Sequence, residues 1–134
     1  MIQKPDIIIH TDGACKGNPG PGGWGAVIEQ NGSQIQISGG EPQTTNNRME
    51  MTAVIKALEA IDSSAKILIS SDSTYVVNTM TKGWKRKANH DLWEQLDAVV
   101  KNRDVSWRWV RGHNGNRGNE LADALATKEA GTAK

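Results

Sequence analysis

One cysteine, Cys15, stands among 134 residues, so no disulfide can form within the chain, which fits a reducing compartment. No apolar run approaches the roughly 20 residues that a membrane-crossing helix needs. The first residues, MIQKPDIII, carry neither the apolar core nor the small-residue cleavage site of a secretory signal. The expectation is a cytoplasmic protein with no membrane partner. Charge of one sign is also missing. Lys and Arg number 16 against 15 Asp and Glu, a net charge of +1, so no global basic field announces a nucleic-acid binder. Internal repeats, low-complexity tracts and linkers are absent from the sequence too. A chain of 134 residues is long enough for one buried core, and a single domain over residues 1–134 is expected.

What the sequence does hold is regular patterning. Ile7-Ile8-Ile9 opens a strand expected to end at Asp12, where Asp-Gly and a Gly/Pro-rich stretch follow. Trp24 to Glu29 and Ser33 to Ser38 read as strands of a hairpin turning at Asn31-Gly32. Ser38 to Thr45 reads as a loop. A helix capped by Asn46 or Asn47 then runs to about Ile61, its apolar stripe being Met51, Val54, Ile55, Leu58 and Ile61. Ala65 to Ser71 repeats the first strand, with Ile67-Leu68-Ile69 followed by Asp72, and a short helix starts near Thr74. Lys82 to Asn89 is a basic connection, Asp91 to Lys101 an amphipathic helix and Val105 to Val110 a strand. Arg111 to Gly118 is a loop, and the last helix starts near Asn119. The order β-β-β-α-β-α-α-β-α implies a mixed α/β sheet with helices on its faces.

Carboxylates fall at telling places in that order. Asp12 and Asp72 each close an apolar strand, and in sheets with parallel strands ligands bind outside those carboxyl ends. Glu50 lies on the edge of the first helix's apolar face, either facing the aspartates or closing a capping box with Asn47. The last helix offers Asp123 or Glu120, which periodicity does not rank. Carboxylates packed together repel. A hard divalent cation removes the conflict, and carboxylate oxygens are what Mg²⁺ prefers. Four carboxylates carry the charge that a pair of Mg²⁺ ions neutralises, an arrangement suited to in-line displacement at phosphorus. One cysteine and three scattered histidines give no zinc spacing. Positive charge is clustered, in KGWKRK around Trp84, and at Arg108, Arg111 and Arg117 near Trp107 and Trp109.

Four stretches, DGACKGNPGPGGWGAV, TTNNRMEMTAV, SDSTYV and RGHNGNRGNELADALA, resemble in order and spacing the motif blocks of type 1 ribonuclease H. The resemblance runs from about Asp6 to Ala130 and is nearest to the bacterial single-domain form. It implies a ribonuclease H-like fold, a five-stranded mixed sheet in the order 3-2-1-4-5 flanked by helices. It also implies a monomeric endonuclease that cleaves the RNA strand of RNA/DNA hybrids, leaving 5′-phosphate and 3′-hydroxyl ends. Mg²⁺ is the implied metal, two ions with substrate bound, with Mn²⁺ as a substitute. The implied ligands are Asp12, Glu50, Asp72 and Asp123, so the resemblance selects Asp123 over Glu120. His113 matches a histidine that assists proton transfer or product release. The backbone of the Gly13 to Gly17 loop, including Cys15, with Asn18 and Asn46, resembles contacts to the hybrid's minor groove, where 2′-hydroxyls distinguish RNA from DNA. Thr45 resembles part of a pocket for a DNA-strand phosphate.

The chain departs from that family in one place. Many bacterial members insert a helix and basic loop that grip the DNA strand, whereas here only MTKGWKRKANHDLW joins Thr79 to Trp93. Trp84, Lys85, Arg86 and Lys87, with Lys82, are expected to form a residual grip. A shortened grip admits a rival reading, a hybrid-binding module weakly active without a partner. A DNA nuclease or resolvase on the same fold is the other rival.

Overall fold

A computed structural model describes residues 4–61, 64–111 and 116–133. Strands β1 (Ile7–Cys15), β2 (Gly20–Gln30) and β3 (Ser33–Thr44) form an antiparallel meander. Helix α1 (Asn46–Glu59) leads to β4 (Lys66–Ser71), helices α2 (Thr74–Lys82) and α3 (His90–Val100), strand β5 (Asp104–Trp109) and helix α4 (Arg117–Thr132). The sheet order is β3-β2-β1-β4-β5, with β1, β4 and β5 parallel. This is the mixed sheet expected from the sequence. No helix among the described residues is long and apolar enough to cross a membrane.

Side-chain alternation divides the sheet into two faces. Ile7 and Ile9 of β1, Ala26 and Ile28 of β2, and Ile67 and Ile69 of β4 meet Met51, Val54, Ile55 and Leu58 of α1 in the main core. Leu92, Trp93 and Leu96 of α3 join that cluster, together with Val76 of α2. The opposite face belongs to α4. Its buried residues Ala122, Ala126 and Ala130 recur every fourth position. They meet a floor of glycines, for a Cβ on Gly25 would lie 2.6 Å from the Ala122 carbonyl oxygen, and one on Gly23 2.3 Å from that of Ala126. Small residues on both sides let helix and sheet backbones approach closely.

Several boundaries differ from the sequence expectation, each for a physical reason. β1 does not stop at Asp12. Its parallel pairing with β4 ends at Thr11 opposite Ser71, but antiparallel pairing with β2 continues to Cys15 opposite Gly22. Gly13 and Cys15 are therefore strand residues, and only 16–19 connect β1 to β2. β2 likewise starts at Gly20, and β3 runs on to Thr44 where a loop was expected, past a shift of register near Gly22. Thr45, not Asn46 or Asn47, caps α1, its hydroxyl accepting from the Arg48 N–H at 3.3 Å. α4 starts two residues earlier than expected because the Asn116 side chain accepts from the Asn119 N–H at 2.9 Å. The Asn31-Gly32 hairpin turn forms as expected, with φ of 53° and 78°.

Replacing Gly25 by Ala forces a methyl group against the α4 main chain, which cannot move aside as a flexible side chain would. Gly25→Ala is expected to cost about 1–3 kcal/mol, read as a lower midpoint in urea at unchanged slope.

Candidate active site

The parallel register of β1 and β4 places Thr11 beside Ser71. Asp12 and Asp72, the next residues, therefore emerge side by side just past the paired segment. Asp12 arises on the same face of β1 as His10, which meets Gly118 of α4, whereas Glu50 arrives from the second turn of α1 on the other face. A Cβ on Gly13 would lie 2.5 Å from the Glu50 nitrogen, so glycine is what allows the helix to pass this close to β1. The Gly13 N–H donates to Asp12 Oδ1 at 2.8 Å and also to Glu50 Oε1. Glu50 is thus drawn to the strand rather than into the capping box considered from sequence.

Asp12, Glu50 and Asp72 each bring a carboxylate oxygen to within 4.8 Å of the others. Asp123 lies in α4, close enough to Asp12 to raise its carboxyl further. All four line one open cleft of about 380 Å³, together with Gly13, Asn46, Asn47, Ser73, Thr74 and Tyr75. Glu120 is exposed and does not line it. Asp12 and Glu50 are only 5% and 3% exposed. Burial, with further repulsion from Asp72, raises Asp12 from an ordinary 3.8 to about 7, although the contacts with Glu50 and Gly13 pull the other way. Burial likewise holds Glu50 well above the usual carboxylate range, reinforced by Asp12 and Asp72. The second oxygen of Glu50, Oε2, is buried without a protein partner. Hard oxygens converging on one point, one of them buried and unsatisfied, fit a divalent cation.

The other predicted residues fall around this cleft in distinct ways. Asn18 accepts from the Asn46 N–H through Oδ1 at 2.7 Å, tying the 16–19 connection to the start of α1. Cys15 is half-buried, its thiol donating to the carbonyl of Thr44 at 3.3 Å. Thr45 spends its hydroxyl on the α1 cap. Trp84 is 47% exposed, and Lys82, Lys85 and Lys87 are exposed beside it. Arg86 differs: it pairs with Asp97 at 2.5 and 3.0 Å and stacks over Trp93 at 4.8 Å. His113 lies outside the described residues. Sequence reasoning did not assign Asn47, Ser73, Thr74 and Tyr75 to the cleft; their nearness in sequence to Glu50 and Asp72 was the available signal.

Residues 4–131 match the sequence model of the RNase H family. The chain is 53% identical over 139 residues to a ribonuclease H of Polynucleobacter asymbioticus, the match covering 94% of this chain and 90% of that one. Among solved structures it is similar to LC9-RNase H1, described as a type 1 RNase H with the type 2 active-site motif, with a TM-score of 0.83, 35% identity, and coverage of 100% and 76% of the two chains. It is also similar to LC11-RNase H1 in complex with an RNA/DNA hybrid, with a TM-score of 0.79, 27% identity, and coverage of 93% and 96%.

The raised carboxyls make stability depend on pH. A carboxyl with a folded pKa above its unfolded value holds an extra proton when folded, so it contributes stability below about pH 4 that is lost as pH rises through about 7. The metal-free protein is therefore expected to melt lower at pH 8 than at pH 5.5. Asp12→Asn is expected to raise stability at pH 8 in EDTA by roughly 2 kcal/mol and to flatten this pH dependence; thermal melts of the two proteins check both.

Proposed function

The chain belongs to the ribonuclease H family, and we propose that it cuts the RNA strand of RNA/DNA hybrids endonucleolytically with a pair of Mg²⁺ ions held by Asp12, Glu50, Asp72 and Asp123. The observation that carries this reading is the convergence of buried carboxylates on an open cleft with Glu50 Oε2 unsatisfied. Cations bound there would activate the attacking water and stabilise charge on the scissile phosphate and the leaving 3′-oxygen. Mn²⁺ serves as a substitute. The products carry 5′-phosphate and 3′-hydroxyl ends.

The protein's own part is to fix the carboxylates before substrate arrives. Asp12 stands on β1 and Asp72 directly follows the adjoining β4, so the sheet brings them together, and the Gly13 N–H orients Asp12 and Glu50 together. Asn18 and Asn46, joined by their hydrogen bond, present amide groups beside the cleft. With the backbone at Gly13 and Cys15, they read the minor groove and its 2′-hydroxyls. Thr45 contributes to holding a DNA-strand phosphate, and His113 assists proton transfer or product release. A similar structure at 27% identity holds an RNA/DNA hybrid, which supports this choice of substrate. Trp84, Lys85 and Lys87, with Lys82, extend the grip along the DNA strand, while Arg86 anchors the connection that carries them. In this reading the enzyme works as a monomer and a single domain in the cytoplasm.

Cleavage of a uniformly labelled hybrid, beside the matching DNA duplex, tests the reading. Hybrid-specific cutting is expected, with Asp72→Asn lowering the rate at least about a hundredfold, beyond what loss of an outer-shell contact costs. Cutting of the DNA duplex, or undiminished cutting by folded Asp72→Asn, overturns it. Faster turnover is expected in Mn²⁺ than in Mg²⁺, because a shortened grip gains most from tighter metal binding; equal rates at saturating substrate count against this.

The grip has its own test. Replacing Lys82, Lys85 and Lys87 together by alanine spares the Arg86 ion pair. It is expected to raise KM several-fold at unchanged kcat and to flatten the log–log salt slope of binding by up to about 3. An unchanged KM and salt slope would show that the lysines do not touch substrate.

A further inference from the structure

The parallel ladder between β4 and β5 ends with Ser71 opposite Trp109. Beyond it, Val110 N–H still donates to the Ser71 carbonyl at 2.9 Å. One residue further along β4, the donor is a side chain: the Trp109 indole Nε1–H reaches the Asp72 carbonyl at 3.1 Å. The indole thus extends the ladder by one rung, beyond the last main-chain bond from Val110. Trp109 is 45% exposed. Burial of its ring does not account for its place, unlike Trp107, which packs against the main core.

From this geometry we infer that Trp109 is a positioning residue, fixing the main chain that carries the Asp72 carboxylate. The inference rests on the reading of Asp72 as a metal ligand. Asp72 lies between two elements, β4 ending at Ser71 and α2 starting at Thr74 with Ser73 as its cap. Ser73 is itself held, its N–H donating to the Ser71 hydroxyl at 3.0 Å and its hydroxyl accepting from Val76 N–H at 3.2 Å. The indole fastens the residue between these anchors from the side of β5. A carboxylate on a shifting main chain would meet its cation at variable distance. The cost should therefore appear in metal affinity before it appears in folding.

The test uses the whole chain and Mn²⁺ alone, with binding followed by calorimetry at pH 8 and no nucleic acid present. Trp109→Phe retains an aromatic ring and removes the N–H, whereas Trp109→His retains a ring N–H. Trp109→Phe is expected to bind Mn²⁺ about tenfold more weakly, with its melting point in EDTA little changed, and with cleavage restored by raising Mn²⁺. Trp109→His is expected to recover part of the affinity. Unchanged Mn²⁺ affinity in Trp109→Phe overturns the inference, as do equal losses in the two variants. Loss of folding in both does so too, since it makes the role structural; if only Trp109→Phe fails to fold, near-native affinity in folded Trp109→His upholds the inference. Asp72→Asn separates the two claims. If it binds Mn²⁺ as the unmodified chain does, the metal-ligand reading itself fails; if it loses Mn²⁺ while Trp109→Phe does not, only the role of Trp109 fails.

Discussion

Three carboxyl groups with oxygens within 4.8 Å of one another, two of them almost wholly buried, cannot all carry charge at neutral pH without a cation. Burial first, and repulsion from Asp72 after it, hold Asp12 near 7 and Glu50 well above its usual range in the metal-free protein. The remainder of the fold supplies the force that keeps these groups together. An isolated helix terminus or strand end would relax away from such repulsion. Here Asp12 belongs to β1, Glu50 to α1, and Asp72 directly follows β4, and those elements are locked by a shared hydrophobic core.

The lock works from two directions. On one face, α1 is pressed to the sheet by Met51, Val54, Ile55 and Leu58, and Gly13 gives way so that the helix start can reach the strand. On the other face, α4 lies against Gly23 and Gly25 through its alanines, and Gly25 is the residue paired with Asp12 in the ladder. Ala122 sits over Gly25, so Asp123 follows at the height of Asp12. His10, two residues before Asp12 in β1, completes the support. Its ring would lie 2.3 Å from a Cβ at Gly118, and its Nε2 bonds Glu29 at 2.5 Å. Packing distance is therefore the variable that sets the electrostatics, and the glycines set packing distance.

Much of this was legible because it repeats. The twin apolar runs Ile7-Ile8-Ile9 and Ile67-Leu68-Ile69 leading to Asp12 and Asp72, the Asn31-Gly32 turn and the amphipathic stripe of α1 each carry a local signal that tertiary structure did not overrule. Strand ends were not legible. Whether β1 stops at Asp12 depends on two partners that release it at different points, and no window of sequence contains both. The cap of α1 went to Thr45 because Asn18 already bonds the Asn46 N–H and Gly13 claims Glu50, again by contacts distant in sequence. Arg86 was misleading for a related reason. It stands in a basic run, yet Asp97 and Trp93 of α3 hold it.

That division within KGWKRK separates a residue that fastens the connection from the exposed ones proposed to bind. The guanidinium of Arg86 is planar and can stack on Trp93 while both its terminal nitrogens engage Asp97, a combination a lysine ammonium does not offer. It fastens the connection to α3, and Gly83, in the left-handed conformation that closes α2, turns the chain towards it. Between these two fixed points the exposed Trp84 and Lys85 have little slack, and Lys87 follows directly. A flexible basic loop must lose conformational freedom to meet a phosphate backbone, whereas one pinned at both ends has lost most of it in folding. In the proposed grip the economy of the connection thus lies in rigidity, its charges held where they need less ordering. The proposed chemistry is built around the ends of β1 and β4, and the proposed grip on a connection that Arg86 fastens to α3, a helix of the same core.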